Sequence, residues 1–133
     1  MGDAGHEEVT PEGPALVISR LACSLVGRTE QVAIAPGTRA HAVYGKEQST
    51  EHFRCSYGLN PAYRAQVMGA GLAVSGVDRD GEVRIVELPD RRFYVATLFL
   101  PQLGSSPGQP HPLIVAYVRA ALAFQALRRD AGL

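Results

Sequence analysis

The sequence predicts an α+β fold: a mostly antiparallel or mixed sheet packed on one long C-terminal helix. Three observations predict it. Short β-branched runs recur about ten residues apart between 15 and 45, with turn signals between them. "LAVSGVDRDGEVRIVEL" holds two strand-like runs, 72–77 and 82–88, around Asp80-Gly81, a pair that favours the positive φ angles of a tight hairpin. "HPLIVAYVRAALAFQALRRD" is the one long helical pattern, with Leu113, Ala116, Tyr117, Ala120, Ala121, Phe124 and Leu127 on one face.

Taken in order, residues 1–14 ("MGDAGHEEVTPEGP") are polar and acidic and read as a flexible lead-in. Residues 15–133 read as one domain. "ALVIS" (15–19) is a strand, and "LACSLVG" (21–27) is a strand or turn. "EQVAIAPGT" (30–38) alternates until Pro36-Gly37, a strong turn signal. "RAHAVYG" (39–45) reads as a strand closed by glycine, and "KEQSTEH" (46–52) as a polar loop. "FRCSYGL" (53–59) puts Phe53, Cys55, Tyr57 and Leu59 on one side, the period of a half-buried strand. Asn60-Pro61 starts a short helix, Asn as cap and Pro at the first helical position. "FYVATLF" (93–99) is continuously apolar and reads as a central strand. A loop rich in Gly, Pro and Ser leads to the helix at 112–129, whose last turn carries Arg128 and Arg129 where the dipole favours them.

Composition excludes several function classes. The chain has 133 residues, 46% hydrophobic and 20% charged, ordinary for one globular domain. The formal net charge is zero, so no global field attracts nucleic acid or an anionic membrane. No apolar run approaches the ~20 residues that cross a bilayer. The polar start is no signal peptide, which points to the cytoplasm and to free thiols at Cys23 and Cys55. Asp78 and Asp80 lack the longer ligand run of a calcium loop, and His52 with Cys55 lacks a second pair for zinc. No metal and no cofactor is expected.

The run from Gly71 to Leu122 resembles the C-terminal part of a class I glutamine amidotransferase domain, most of all the version at the C-terminus of CTP synthase and its stand-alone relatives. "AGLAVSG", "GEVRIVELPDRRFYVAT", the F-x-P at 99–101 and "PHPLIVAYVRAAL" carry the resemblance, with "SLVGRTEQVAIAPGT" and "SYGLNP" as weaker matches upstream. The resemblance implies that the α+β chain is a remnant of a flavodoxin-like α/β domain. Such domains hydrolyse glutamine through a Cys nucleophile on a Gly-x-Cys-x-Gly elbow. A His takes the thiol proton and a Glu orients the imidazole, both following the last core strand as Phe-His-Pro-Glu.

Position by position, the His of that motif falls at Leu100 and the Glu at Gln102. Leucine accepts no proton, and glutamine keeps the shape of glutamate without its charge. The substrate-binding Arg of the family falls at Ser56 and its neighbouring His at Cys55, with Arg54 displaced beside them. Tyr57 and Asn60 match family positions. Neither cysteine sits in an elbow, and the family's N-terminal half has no counterpart here. No catalytic residue is therefore assigned. The candidate binding residues are Arg54, Cys55, Ser56, Tyr57 and His111, the last at the start of the long helix.

The expected function is that of a catalytically degenerate relative, a binding or structural subunit. Two alternatives stand beside it: a repurposed small-molecule enzyme using the remnant pocket, and a C-terminal fragment of a longer amidotransferase. With half of the parent architecture missing, apolar surface loses its cover. Each exposed Leu or Phe forfeits ~1.5–3 kcal/mol. A homo-oligomer, most simply a homodimer, or a partner chain carrying the N-terminal half is expected to cover it.

Overall fold

The computed structural model describes residues 1–132. In chain order the elements are β1 (Ala4–His6), β2 (Ala15–Arg20), β3 (Arg28–Ile34), α1 (Arg39–Tyr44), β4 (Gln48–Phe53), β5 (Tyr57–Leu59), a 3₁₀ turn (Pro61–Tyr63), α2 (Arg64–Gly69), β6 (Ala73–Val77), β7 (Val83–Glu87), β8 (Val95–Thr97), a second 3₁₀ turn (Pro101–Gly104) and α3 (Pro112–Asp130). They form two sheets. One has three strands in the order β1-β2-β5, and the other five in the order β4-β3-β6-β7-β8. Every pairing is antiparallel except β1 with β2. The α+β architecture with mostly antiparallel sheets and a C-terminal helix is as the sequence predicts.

The core lies between the five-stranded sheet, α1 and the start of α3. Val32, Ile34, Ala40, Phe53, Ile85, Phe99 and Leu113 are buried together there. Phe53 and Phe99 meet edge to face with ring centroids 5.7 Å apart, a favoured aromatic geometry. The β6–β7 hairpin closes as expected. Gly81 takes φ 80°, and one Asp78 carboxylate oxygen accepts from the backbone N–H groups of Asp80 and Glu82. The other oxygen takes the Arg84 guanidinium at 2.7 Å, a pair largely removed from water. Within the hairpin, β6 and β7 approach so closely at Gly76 that a Cβ there would stand 2.6 Å from Ile85 Cγ1.

Several elements differ from the sequence reading, each for a physical reason. Residues 39–45 form helix α1 rather than a strand. Thr38 caps it, its hydroxyl accepting from His41 N at 3.1 Å, and the buried Glu87 carboxylate accepts from Arg39 N and Ala40 N. That second cap comes from β7, far along the chain, and is invisible locally. Residues 48–53 form β4 rather than a loop. Ser49, Glu51 and Phe53 point inward, and a buried carboxylate disguised the alternation as polarity. The half-buried strand expected over 53–59 is broken after Phe53, where the chain passes from one sheet to the other. Only Val95–Thr97 of the 93–99 run is strand, and β8 is an edge rather than a central strand. Residues 21–27 contain no strand, and the lead-in at 1–14 contains β1.

Candidate functional site

The site begins where β8 ends. Leu98 N–H donates to Arg84 O at 3.0 Å, continuing the ladder with β7 for one step. Phe99 then turns into the core, its side chain 1% exposed. Thr97 Oγ1 donates to Phe99 O at 2.9 Å, and Leu100 N–H donates to His52 O at 2.9 Å. These bonds and the Pro101–Gly104 turn fix the strand end firmly. On it stand a half-buried Leu100 and an exposed Gln102. Neither side chain can accept a proton from a thiol or hold a charge against an imidazole.

The other candidates lie on the link between β4 and β5. Arg54 is exposed. The Cys55 thiol donates to Tyr57 O at 3.1 Å, and Ser56 Oγ lies 2.9 Å from Ser24 Oγ. Tyr57 OH accepts from Arg20 Nη2 at 3.2 Å, and that guanidinium lies over the Tyr57 ring, 5.4 Å from its centroid. Backbone bonds from Leu21 to Ser56, Leu25 to Cys55 and Gly27 to Phe53 tie this link to the β2–β3 connection. Arg54 through Tyr57 are thus together by chain neighbourhood. His111 is elsewhere, 5% exposed in the core.

His111 belongs to a cluster that the sequence reading did not assemble. Glu51 on β4 is 1% exposed. His111 Nε2 lies 3.0 and 3.1 Å from its two carboxylate oxygens. Tyr44 OH from α1 donates to it at 2.6 Å, and Ser49 Oγ donates at 2.9 Å. The other imidazole nitrogen, Nδ1, accepts from Leu113 N–H at 3.2 Å and so caps α3. His111 N–H in turn donates to Ser105 Oγ at 2.8 Å. Burial pushes the Glu51 carboxyl up, but the bonds from His111, Tyr44 and Ser49 outweigh it, so the pKa lies below its ordinary value. Burial, together with the hydrogen bond to Glu51 and its charge, pushes the Tyr44 hydroxyl far above the usual tyrosine range. His111 stands at the start of α3, as expected from the sequence. The partner 60 residues away left one faint trace, the period-2 placing of Ser49, Glu51 and Phe53.

Chemically the cluster is a saturated polar knot joining β4, α1 and α3. It resembles a His–carboxylate dyad in composition, but its bonds run inward and no thiol is among its partners. A cleft of about 450 Å³ lies instead between the β2–β3 connection and the β6–β7 hairpin, lined by Arg20, Cys23, Arg28, Arg79, Asp80 and Glu82 among others. Its described lining includes none of Arg54, Cys55, Ser56, Tyr57, Leu100, Gln102 or His111. A smaller apolar groove of about 210 Å³ runs between β8 and α3, bounded by Phe93, Val95, Pro101, Leu113, Ile114 and Tyr117. Among the described residues no group of three or more His, Cys, Asp or Glu is placed to hold a metal ion. Among the described residues no helix is long and apolar enough to cross a membrane.

No family model matches the chain. It is similar to the CTP synthase of Carboxydothermus hydrogenoformans, 39% identical over 130 residues, a stretch covering 90% of this chain and 24% of that protein. The CTP synthase of Archaeoglobus fulgidus is 42% identical over 96 residues, 71% of this chain and 18% of that one. Among solved structures, the Trypanosoma brucei CTPS glutaminase domain with bound acivicin superposes with a TM-score of 0.85 at 27% identity, covering 92% of this chain and 52% of that chain. The chain therefore spans about a quarter of the first of these CTP synthases and about half of the solved glutaminase domain.

Proposed function

We propose that this class I glutamine amidotransferase-like chain, which resembles the C-terminal part of the CTP synthase glutaminase domain, is catalytically degenerate and serves as a binding or structural subunit. The observation that carries the reading is the strand end after β8. It keeps its backbone bonds and its 3₁₀ turn, yet it offers Leu100 and Gln102 where the resemblance implies a base and a carboxylate. Proton transfer from a thiol needs an acceptor within hydrogen-bond reach. The protein's buried histidine–carboxylate pair does not supply one, because both imidazole nitrogens are already bonded to Glu51 and Leu113.

In this reading residues 15–133 are the amidotransferase-like domain, Arg54–Tyr57 are the altered remains of a substrate-binding stretch with His111 apart from them in the core, and the subunit works in the cytoplasm. It associates with a second copy or with a chain carrying the N-terminal half of the domain. The test is a glutaminase assay with a sensitive ammonia readout on the purified chain. The expected result is no turnover above buffer. Turnover that disappears in Cys55→Ser would overturn the reading.

A further inference from the structure

Four strands end the two sheets, and two of them, β1 and β8, are flanked by charges of opposite sign. β1 ends the three-stranded sheet and β8 ends the five-stranded one. Neither has a further hydrogen-bonded strand among the described residues. An uncovered edge is a template for another chain.

The β8 edge lies along the apolar groove, which reaches Tyr117 of α3, and a separate hollow farther along the helix is lined by Phe124, Arg128 and Arg129 among others. There Tyr117 is 60% exposed, Phe124 39% and Leu127 59%. The charges on this side are mostly positive. Between residues 88 and 130 stand Arg91, Arg92, Arg119, Arg128 and Arg129 against Asp90 and Asp130. Arg92 lies over the Phe124 ring at 4.2 Å and Arg128 at 5.9 Å. No carboxylate lines either the β8 groove or the hollow beside Phe124 among the described residues. A twofold contact of this face with itself would set arginine against arginine, so charge selects a different occupant.

The β1 edge is its complement. Residues 1–14 carry Asp3, Glu7, Glu8 and Glu12 and no Lys or Arg. Met1 and Val9 flank the strand as exposed apolar side chains, 60% and 76% accessible. Glu7 is engaged with Arg20 N, which leaves Asp3, Glu8 and Glu12 for a partner.

We infer that the acidic β1 edge of one copy docks on the β8 edge and arginine-bearing α3 face of a second copy. This deepens the associating-subunit reading by naming both surfaces and the occupant. The two surfaces differ, so the contact closes as a dimer when two copies exchange it reciprocally and otherwise adds further copies.

The experiment is sedimentation velocity of the full chain at tens of micromolar. Two charge-reversed variants are compared with it: Asp3→Lys/Glu8→Lys/Glu12→Lys and Arg92→Glu/Arg128→Glu/Arg129→Glu. Far-UV circular dichroism confirms that each is folded. The wild type is expected to self-associate, and to weaken by about tenfold or more as salt rises from about 50 to about 500 mM. Each variant alone is expected to be a monomer, and an equimolar mixture to associate again. A monomeric wild type overturns the inference, as does an assembly that both reversals leave intact. A monomer that forms a stoichiometric complex when co-expressed with the N-terminal half of the Carboxydothermus glutaminase domain overturns it in favour of that occupant. None of these results alters the ammonia assay, so failure here and failure of the non-catalytic reading are separate.

Discussion

Replacing Glu51 by Ala should be the most damaging single truncation in the core. Three donors converge on this carboxylate: His111 Nε2–H, Tyr44 OH and Ser49 OH. Alanine leaves all three without an acceptor in a site only 1% exposed at Glu51. One unsatisfied buried donor costs about 1–3 kcal/mol. Summing three overstates the loss, since water enters the vacated space. The lower part of that sum, about 3–5 kcal/mol, allows for this. The unfolding entropy scales to about 0.28 kcal/mol/K for 133 residues, so the melting temperature should fall by about 10–18 °C. Thermal and urea denaturation followed by circular dichroism measure it. Tyr44→Phe in the Glu51→Ala background should cost less than in the wild type, with a coupling of about 0.5–3 kcal/mol. A loss below about 1 kcal/mol, or additive costs for the two changes, would refute the account of Glu51 as the shared acceptor.

Three further outcomes follow from the same geometry. The folded pKa of Glu51 is depressed, so its stabilisation is complete above the ordinary glutamate value of about 4.3 and is lost as pH falls through the lower folded value. In urea titrations, the stability gap between wild type and Glu51→Gln should therefore shrink towards acid, and a gap that widens contradicts this. Gly76→Ala sets a Cβ 2.6 Å from Ile85 Cγ1 and should cost about 1–3 kcal/mol by overpacking. Adding Ile85→Ala should give less than the sum of the two single losses in chemical denaturation. Leu100→His with Gln102→Glu installs at the strand end the two groups that the resemblance implies but supplies no nucleophile elbow, so ammonia release from glutamine by this chain should stay at background.

The parts of the fold legible in the sequence are those whose cause is local. Asp80-Gly81 announces its hairpin because the turn demands a positive φ that glycine supplies freely. Asn60-Pro61 announces its cap, with Asn60 Oδ1 accepting from Ala62 N at 3.1 Å. The illegible parts have distant causes. Helix α1 depends on Glu87, 47 residues beyond Ala40, to hold its first amides. Strand β4 hides its inward face behind Glu51, whose partners arrive from α1 and α3. The reading of Leu100 and Gln102 as substituted positions rests wholly on the flanking residues, which resemble a known pattern. No periodicity marks a missing histidine.

The remaining histidine–carboxylate pair tests why that strand end matters. A general base needs a lone pair free to meet the reacting proton. In His111 the lone pair on Nδ1 is taken by Leu113 N–H at 3.2 Å, and the Nε2 proton is given to Glu51 at 3.0 Å. The hydrogen bonds therefore fix one tautomer, protonated on Nε2, with nothing left to offer a substrate. Long-range proton–nitrogen NMR of the labelled protein should show Nδ1 bare and Nε2 carrying hydrogen. Glu51→Ala should remove the acceptor of the Nε2 proton and admit some of the Nδ1-protonated tautomer, which gives up the cap of α3 in the same proportion. A proton found on Nδ1 of the wild type would mean that the imidazole is not the cap of α3. The lone pair would then lie on Nε2, the nitrogen that faces Glu51, and the division between a structural histidine and an absent catalytic one would fail.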